Sequence, residues 1–251
     1  MIIDSYRKED GKMSPQSVYG PGKNIADVCI VTFSEKLTRM ILEEYHPEMV
    51  ADMGSTNGHT PIYVLTYQGK KICFYNSPMG SALAGTYSMV TAHLVGVKKF
   101  IVFGSAGRLD KAITPLSFIV PTAAYRDEGL SYHYVPAGDY IEIKNHRFIE
   151  AFLKDSNIPY FSGKCWTTDA FYKETESEIQ QRKQEGCIAV DMECAGMQAV
   201  ADYYGFDFYE FFFGVDQLDS LEWDKATMGS GKDVFRHHDI FELALAMALK
   251  I

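Results

Sequence analysis

Three acids hold the positions from which this chain could do chemistry. Asp191 and Glu193 stand two apart in Val190-Asp191-Met192-Glu193, after the short apolar run 188–190 and before a small-residue helical pattern reaching about Tyr204. A strand feeding directly into a helix puts both acids at the strand's carboxyl end, where open α/β sheets bind their ligands. Two roles stand open for Glu193. It can cap the helix, whose free N–H groups and positive dipole end favour an acid. Alternatively, Ala195, Gly196, Ala199 and Ala201 let the helix lie tight on a sheet, which would enclose Glu193 beside a cavity. The third acid, Asp216, ends the most apolar run of the chain, 208–215. Burial there favours the neutral carboxyl that a proton donor needs, and a surface acid opening a loop is the alternative.

Other stretches offer contacts rather than acids. Thr168-Asp169-Ala170-Phe171-Tyr172 lies just past a strand end, where Phe171 or Tyr172 can stack on a planar ring or serve the core. Gly104-Ser105-Ala106-Gly107 follows the buried run 99–103, and its glycines would let the backbone approach an anion or a flat base. That pattern is neither a dinucleotide fingerprint nor a P-loop. Met79-Gly80-Ser81 forms a further strand-to-helix junction. The seven histidines lack H-E-x-x-H spacing and no G-x-S-x-G elbow occurs, so neither metal ligation nor serine-type hydrolysis is indicated.

Positioning these residues requires alternating strands and helices. Strands are expected at 28–33, 99–103, 118–123, 160–166, 188–190 and 207–215. Segments 62–67 and 71–75 flank Gln68-Gly69-Lys70 as a hairpin. Helices are expected at 35–45 behind an N-cap at Ser34, and at 83–94, 145–154, 174–185 (exposed and charged), 195–204 and 233–250. Residues 104–109 and 125–140 read as loops. Such alternation argues one α/β domain with a parallel or mixed sheet. A net charge of −9 argues against a nucleic-acid-binding surface. No apolar run approaches 18 residues and the first 19 are polar, so neither a membrane span nor a signal peptide is expected. Five cysteines without C-x-x-C spacing suit a reduced cytoplasm.

Taken in order, these stretches resemble the nucleoside phosphorylase/uridine phosphorylase superfamily, from about Ile25 to the C-terminus. The resemblance rests on Thr168-Asp169-Ala170-Phe171-Tyr172, on Val190-Asp191-Met192-Glu193, on the glycine-bearing strand that ends in Gly104-Ser105-Ala106-Gly107, and on Met79-Gly80-Ser81. It implies an N-terminal arm (1–24) and one three-layer α/β/α domain (25–251) around a mixed, partly barrel-like sheet. It also implies assembly as a homodimer or a homohexamer built as a trimer of dimers. The reaction implied is cleavage of a nucleoside's N-glycosidic bond by phosphate, without a cofactor or metal, giving base and ribose 1-phosphate.

Residue by residue, the resemblance places Glu193 on the ribose hydroxyls, with Met192 and Met79 against the sugar. Phe171 would face the base, the Ala106-Gly107 backbone would line it, and Ser105 would touch phosphate. Asp216 falls where purine-cleaving members protonate the leaving base. Thr175 and Ser177 occupy the places where pyrimidine enzymes carry Gln and Arg, which favours a purine. The phosphate arginines are absent: the G-D-P-x-x-R loop reads Phe33-Ser34-Glu35-Lys36-Leu37, Val102 replaces a second arginine, and 52–59 contains none. Arg108, Lys36 and Arg39 are the cations left to compensate. Water as acceptor is therefore one alternative, with Glu35 the nearest candidate for the nucleosidases' acid. Pyrimidine cleavage resembling uridine phosphorylase, or a non-catalytic nucleoside-binding relative, are the others.

Overall fold

The computed structural model describes residues 1–56, 58–220, 222–228 and 232–251, without the side chains of 232–237. A short helix, α1 (Pro15–Tyr19), precedes β1 (Val28–Thr32), α2 (Glu35–Tyr45), β2 (Glu48–Asp52), β3 (Pro61–Tyr67), β4 (Lys70–Asn76) and α3 (Ser81–Val95). Next come β5 (Lys99–Arg108), β6 (Phe118–Asp127), α4 (Ser131–Tyr134), β7 (Tyr140–Glu142) and α5 (His146–Asp155). The last part holds β8 (Tyr160–Thr168), α6 (Glu176–Gln184), β9 (Cys187–Asp191), α7 (Cys194–Tyr204), β10 (Asp207–Gln217) and α8 (Lys232–Ala248).

All ten strands form one mixed sheet, and part of it closes. The path β10–β6–β8–β9–β5 returns to its start because β5 also pairs with β10, in parallel. The expected partly barrel-like α/β architecture is thus present. Every residue of β1 is buried, as a central strand covered on both faces requires. On one face Leu37 and Ile41 of α2, Ile149 and Leu153 of α5, and Phe241 and Leu245 of α8 pack with Ile30 and Phe211. On the other, Ala84 and Val90 of α3 and Met197 and Ala201 of α7 pack with Val31 and Val102. Ser34 caps α2 as expected, its side chain accepting from Leu37 N. Such a cap contributes about 1 kcal/mol.

Several boundaries differ from the sequence expectation, each for a tertiary reason. Residues 104–108 are strand rather than loop. Gly104 pairs with Phe212 of β10 and Gly107 with Val190 of β9, so neighbours on both sides override the low strand propensity of glycine. β6 likewise runs to Asp127, carried by its pairing with β8, and α4 interrupts the rest of the expected loop. β2, not expected at all, is a polar edge strand held by β3. α6 is less exposed than its charge suggests, since Arg182 is buried with its guanidinium 3.6 Å from the centre of the Tyr125 ring.

The N-terminal arm lies along its own chain. Lys23 N and Ile25 N donate to the carbonyls of Leu94 and Val95, and Tyr203 Oη donates to that of Glu9. All five cysteines are buried and unpaired. Among the described residues, no helix is long and apolar enough to cross a membrane.

Candidate active site

At the end of β9 the two acids divide the work. Asp191 is buried, and its Oδ2 accepts from the backbone N–H groups of Glu193 (2.8 Å) and Cys194 (2.7 Å). Its Oδ1 accepts from Thr167 Oγ1 at 2.7 Å. Asp191 is therefore the residue that satisfies the first turn of α7, and Glu193 is released from capping. The Glu193 carboxylate reaches across to the other strand-to-helix junction, where Gly80 N donates to its Oε1 at 2.6 Å. Ser81 Oγ closes a second link to Met192 O at 2.9 Å.

Two glycines make this junction possible. Gly80 has φ +95°, a conformation that favours glycine, and it opens α3 with its N–H aimed at Glu193. At Gly196 a Cβ would lie 2.6 Å from Ser81 Cβ, so α7 approaches α3 this closely only without a side chain there.

Burial dominates the electrostatics. It pushes Glu193 up to about 8, with the neighbouring Asp191 charge as the second cause, while the Gly80 N–H works in the opposite direction. Burial also lifts Asp191 to about 6 against the pull of its N–H and hydroxyl donors. Behind them lies Glu210 of β10, 1% exposed, whose carboxyl is held well above the usual range by burial and then by Asp191. Its Oε2 has no hydrogen-bond partner among the described residues. Once ionised, Glu193 presents a carboxylate with one oxygen anchored on Gly80.

The second acid sits a strand away. Asp216 lies inside β10 rather than beyond it, is 9% exposed, and accepts from Trp223 Nε1 on Oδ2 at 2.8 Å. Its Oδ1 faces Gly107: a Cβ built there would be 3.5 Å from that oxygen, 2.4 Å from Leu218 Cδ1 and 2.8 Å from Val190 Cγ1. Any larger residue at 107 would displace these neighbours.

Phe171 heads a 3-10 turn (Phe171–Lys173), partly exposed, with its ring centre 4.0 Å from that of Tyr172. The turn is tied down because Asp169 Oδ2 accepts from Gly129 N at 2.9 Å. Half-buried Glu174 follows, pushed up to about 8 by burial and, second, by the charge of Asp216. Thr175 begins α6, where its backbone N–H donates to Glu178.

The third region surrounds Ser105. This exposed residue lines a cavity of roughly 50 Å³ with Thr32, Phe33, Ser34, Phe103, Gly104 and Phe213. Among the described lining residues three are phenylalanines and none is a cation. Ala106, the next residue, is buried in the strand. Arg108, the cation expected nearest, is turned away: Nη1 donates to Ile113 O at 2.6 Å and Nε to Asp216 O at 3.2 Å. Lys36 and Arg39 are exposed on α2, and Arg39 pairs with Glu35 at 3.1 Å. Glu35 also receives a 3.4 Å bond from Asn76 Nδ2.

A profile of the phosphorylase superfamily matches residues 27–239. The chain belongs to the phosphorylase superfamily. Its curated relatives include a DeoD-type purine nucleoside phosphorylase of Bacillus velezensis, 25% identical over 88% of this chain and 94% of the relative. Another, from Actinobacillus succinogenes, is 25% identical over 77% of this chain and 81% of the relative. Solved structures with this fold include a futalosine hydrolase mutant of Helicobacter pylori, with TM-score 0.73 at 15% identity, covering 90% of this chain and all of the other. A Campylobacter jejuni 5'-methylthioadenosine/S-adenosyl homocysteine nucleosidase gives 0.72 at 17% identity with the same coverage.

Within this phosphorylase-superfamily chain, the structure joins Glu193, Met192 and the Met79–Gly80–Ser81 junction through two hydrogen bonds. Met192 is half-buried there, whereas Met79 is 68% exposed at the rim. Asp216 and Gly107 adjoin one another. Arg108, Lys36 and Arg39 do not line the Ser105 cavity. Sequence reasoning did not single out the Gly80 N–H, Glu174 or Trp223. A D-x-E pair could have flagged Asp191 as the cap, because an N-cap acid accepts from the backbone two or three residues on. For Trp223, seven residues beyond Asp216, no sequence signal existed.

Proposed function

We propose that this chain cleaves the N-glycosidic bond of a purine nucleoside with water as the acceptor. The observation that carries this reading is the Ser105 cavity, where phosphate would bind in a phosphorylase. Phosphate recognition depends on charge-assisted bonds, above all from arginine. Here the cavity is roughly 50 Å³ and, among the described residues, lined by no cation. Water, at about 30 Å³ per molecule, suits that volume. The sequence expectation of phosphorolysis becomes the second reading, favoured by the DeoD-type purine nucleoside phosphorylases among the relatives.

The steps follow from the residues. As the C1′–N bond lengthens, positive charge builds on the ribose, and ionised Glu193 on the sugar hydroxyls strengthens its hold as that charge grows. The departing pair of electrons moves onto the purine, whose N7 takes the proton of Asp216. Water forms the new bond to C1′ and releases a proton to solvent, from which Asp216 is reprotonated. Phe171 stacks on the base, Met192 and Met79 bound the sugar, and no cofactor or metal takes part.

We further propose a homodimer, closing the groove beside Met79 that Leu42, Tyr63, Pro78 and Leu83 line. The five unpaired buried cysteines support a reducing, cytoplasmic location. The deciding assay is a nucleoside panel with and without phosphate. Free ribose in both conditions supports hydrolysis, ribose 1-phosphate would establish phosphorolysis, and no cleavage of any purine nucleoside would overturn the reading. A monomer by light scattering at micromolar concentration would overturn the dimer.

A further inference from the structure

We propose that Trp223 is a positioning residue for base protonation, its indole N–H holding one oxygen of Asp216 so that the other faces the leaving base. This rests on the functional reading above and goes beyond it. Trp223 Nε1 donates to Asp216 Oδ2 at 2.8 Å. An indole N–H can only donate, so Oδ2 must act as an acceptor and the acidic proton belongs on Oδ1. Oδ1 is the oxygen directed over Gly107, 3.5 Å from where a Cβ would stand. A carboxyl free to rotate would present the proton in the wrong direction part of the time. The indole removes that freedom.

The exposure of the two partners supports a role beyond packing. Trp223 is 60% exposed while Asp216 is 9% exposed. An indole left largely in water gains little by burial, and water could satisfy its N–H equally well. It is nevertheless held in place. Gln217 N donates to Asp224 O at 2.8 Å and Asp224 N to Gln217 O at 3.2 Å, closing the loop beside Trp223. Leu218 N donates to Arg108 O at 3.0 Å, and Lys183 pairs with Asp219.

The chemistry makes the contact stronger when it is needed. When Asp216 carries the proton destined for the base, the indole donates to its other oxygen. As the C1′–N9 bond breaks, its electron pair moves into the purine, the proton passes from Oδ1 to N7, and Asp216 becomes a carboxylate. The same N–H then makes a charge-assisted bond, about twice as strong. An interaction that strengthens along the reaction lowers the barrier rather than the ground state.

The test compares Trp223→Phe with the wild-type enzyme on a purine nucleoside and on its 7-methylated counterpart, whose base already carries the charge and needs no proton. An aromatic ring is kept, smaller than the indole and at a position 60% exposed, and the N–H is lost. The expected result is a fall of about tenfold in kcat on the ordinary nucleoside, with KM, Tm and turnover of the 7-methylated substrate within about twofold of wild type, tenfold being the low end of what a mispositioned acid loses. Equal falls on both substrates, no fall, or a gain in activity would overturn the proposal, a gain showing that Trp223 merely plugs the site. Wild-type enzyme that cleaves neither substrate would overturn the functional reading and this proposal with it.

Discussion

The Glu193 end and the Ser105 end of this candidate site are built from opposite materials. Around Glu193 nearly every polar atom has a fixed partner: Gly80 N on the carboxylate, Ser81 on Met192 O, and Asp191 on two backbone N–H groups. Around Ser105 the walls are the rings of Phe33, Phe103 and Phe213. Thr32 and Ser34 are occupied there with their own turn, accepting from Ser34 N and Leu37 N. One end is a network of hydrogen bonds, and the other is walled largely by aromatic rings. The contrast teaches that the two regions are built independently, because they draw on different strands and loops.

The largest expected effect is at the Glu193 end. Glu193→Gln keeps the shape and removes the charge, and kcat should fall by about 10³-fold, the upper range for losing one electrostatic contact to a developing charge. Retained turnover would reduce Glu193 to a structural link between α3 and α7. Next comes Asp216→Asn, expected to slow ordinary purine nucleosides by about 100-fold while sparing 7-methylated ones, since a general acid is worth at least that much. Equal losses on the two substrates would make Asp216 structural and remove the main support for a purine.

A smaller effect is expected of pH. With Glu193 lifted to about 8, the active carboxylate form gains population as pH rises, so kcat/KM should climb through about pH 8. A flat profile between 6 and 9 would argue against an ionised Glu193 in catalysis. Stability should move the other way. A carboxyl whose folded pKa is raised binds more protons folded than unfolded, so its stabilising effect is complete below the unfolded value near 4.5 and is lost as pH rises to about 8. Glu193→Gln should therefore gain Tm on wild type as pH goes from 5 to 9, by about 1 kcal/mol or more in stability. The smallest effect is at the Ser105 end, where millimolar phosphate should change the rate by less than about twofold, the expectation for an anion with no charge-assisted contact to gain. A steep rise with phosphate would abolish the contrast between the two ends.

How much of this was legible in the sequence follows from the range of each interaction. The periodicity of α2, its Ser34 cap and the β3–β4 hairpin are local, set within a few residues, and they stand where the sequence put them. So did the acids at the carboxyl ends of strands, because hydrophobic runs punctuated by acids are visible along a single chain. The sequence also showed that the phosphate arginines were missing. It could not show what lines that place, since Phe33 just after β1, Phe103 in β5 and Phe213 in β10 meet only in the folded sheet. Strand β5 ran through its glycines because β9 and β10 flank it, and their pairing is non-local. Asp191 and Glu193, separated by one residue, were both candidate caps of α7. The choice fell to Gly80, 113 residues away in sequence, whose N–H gives the Glu193 carboxylate a partner outside its own helix.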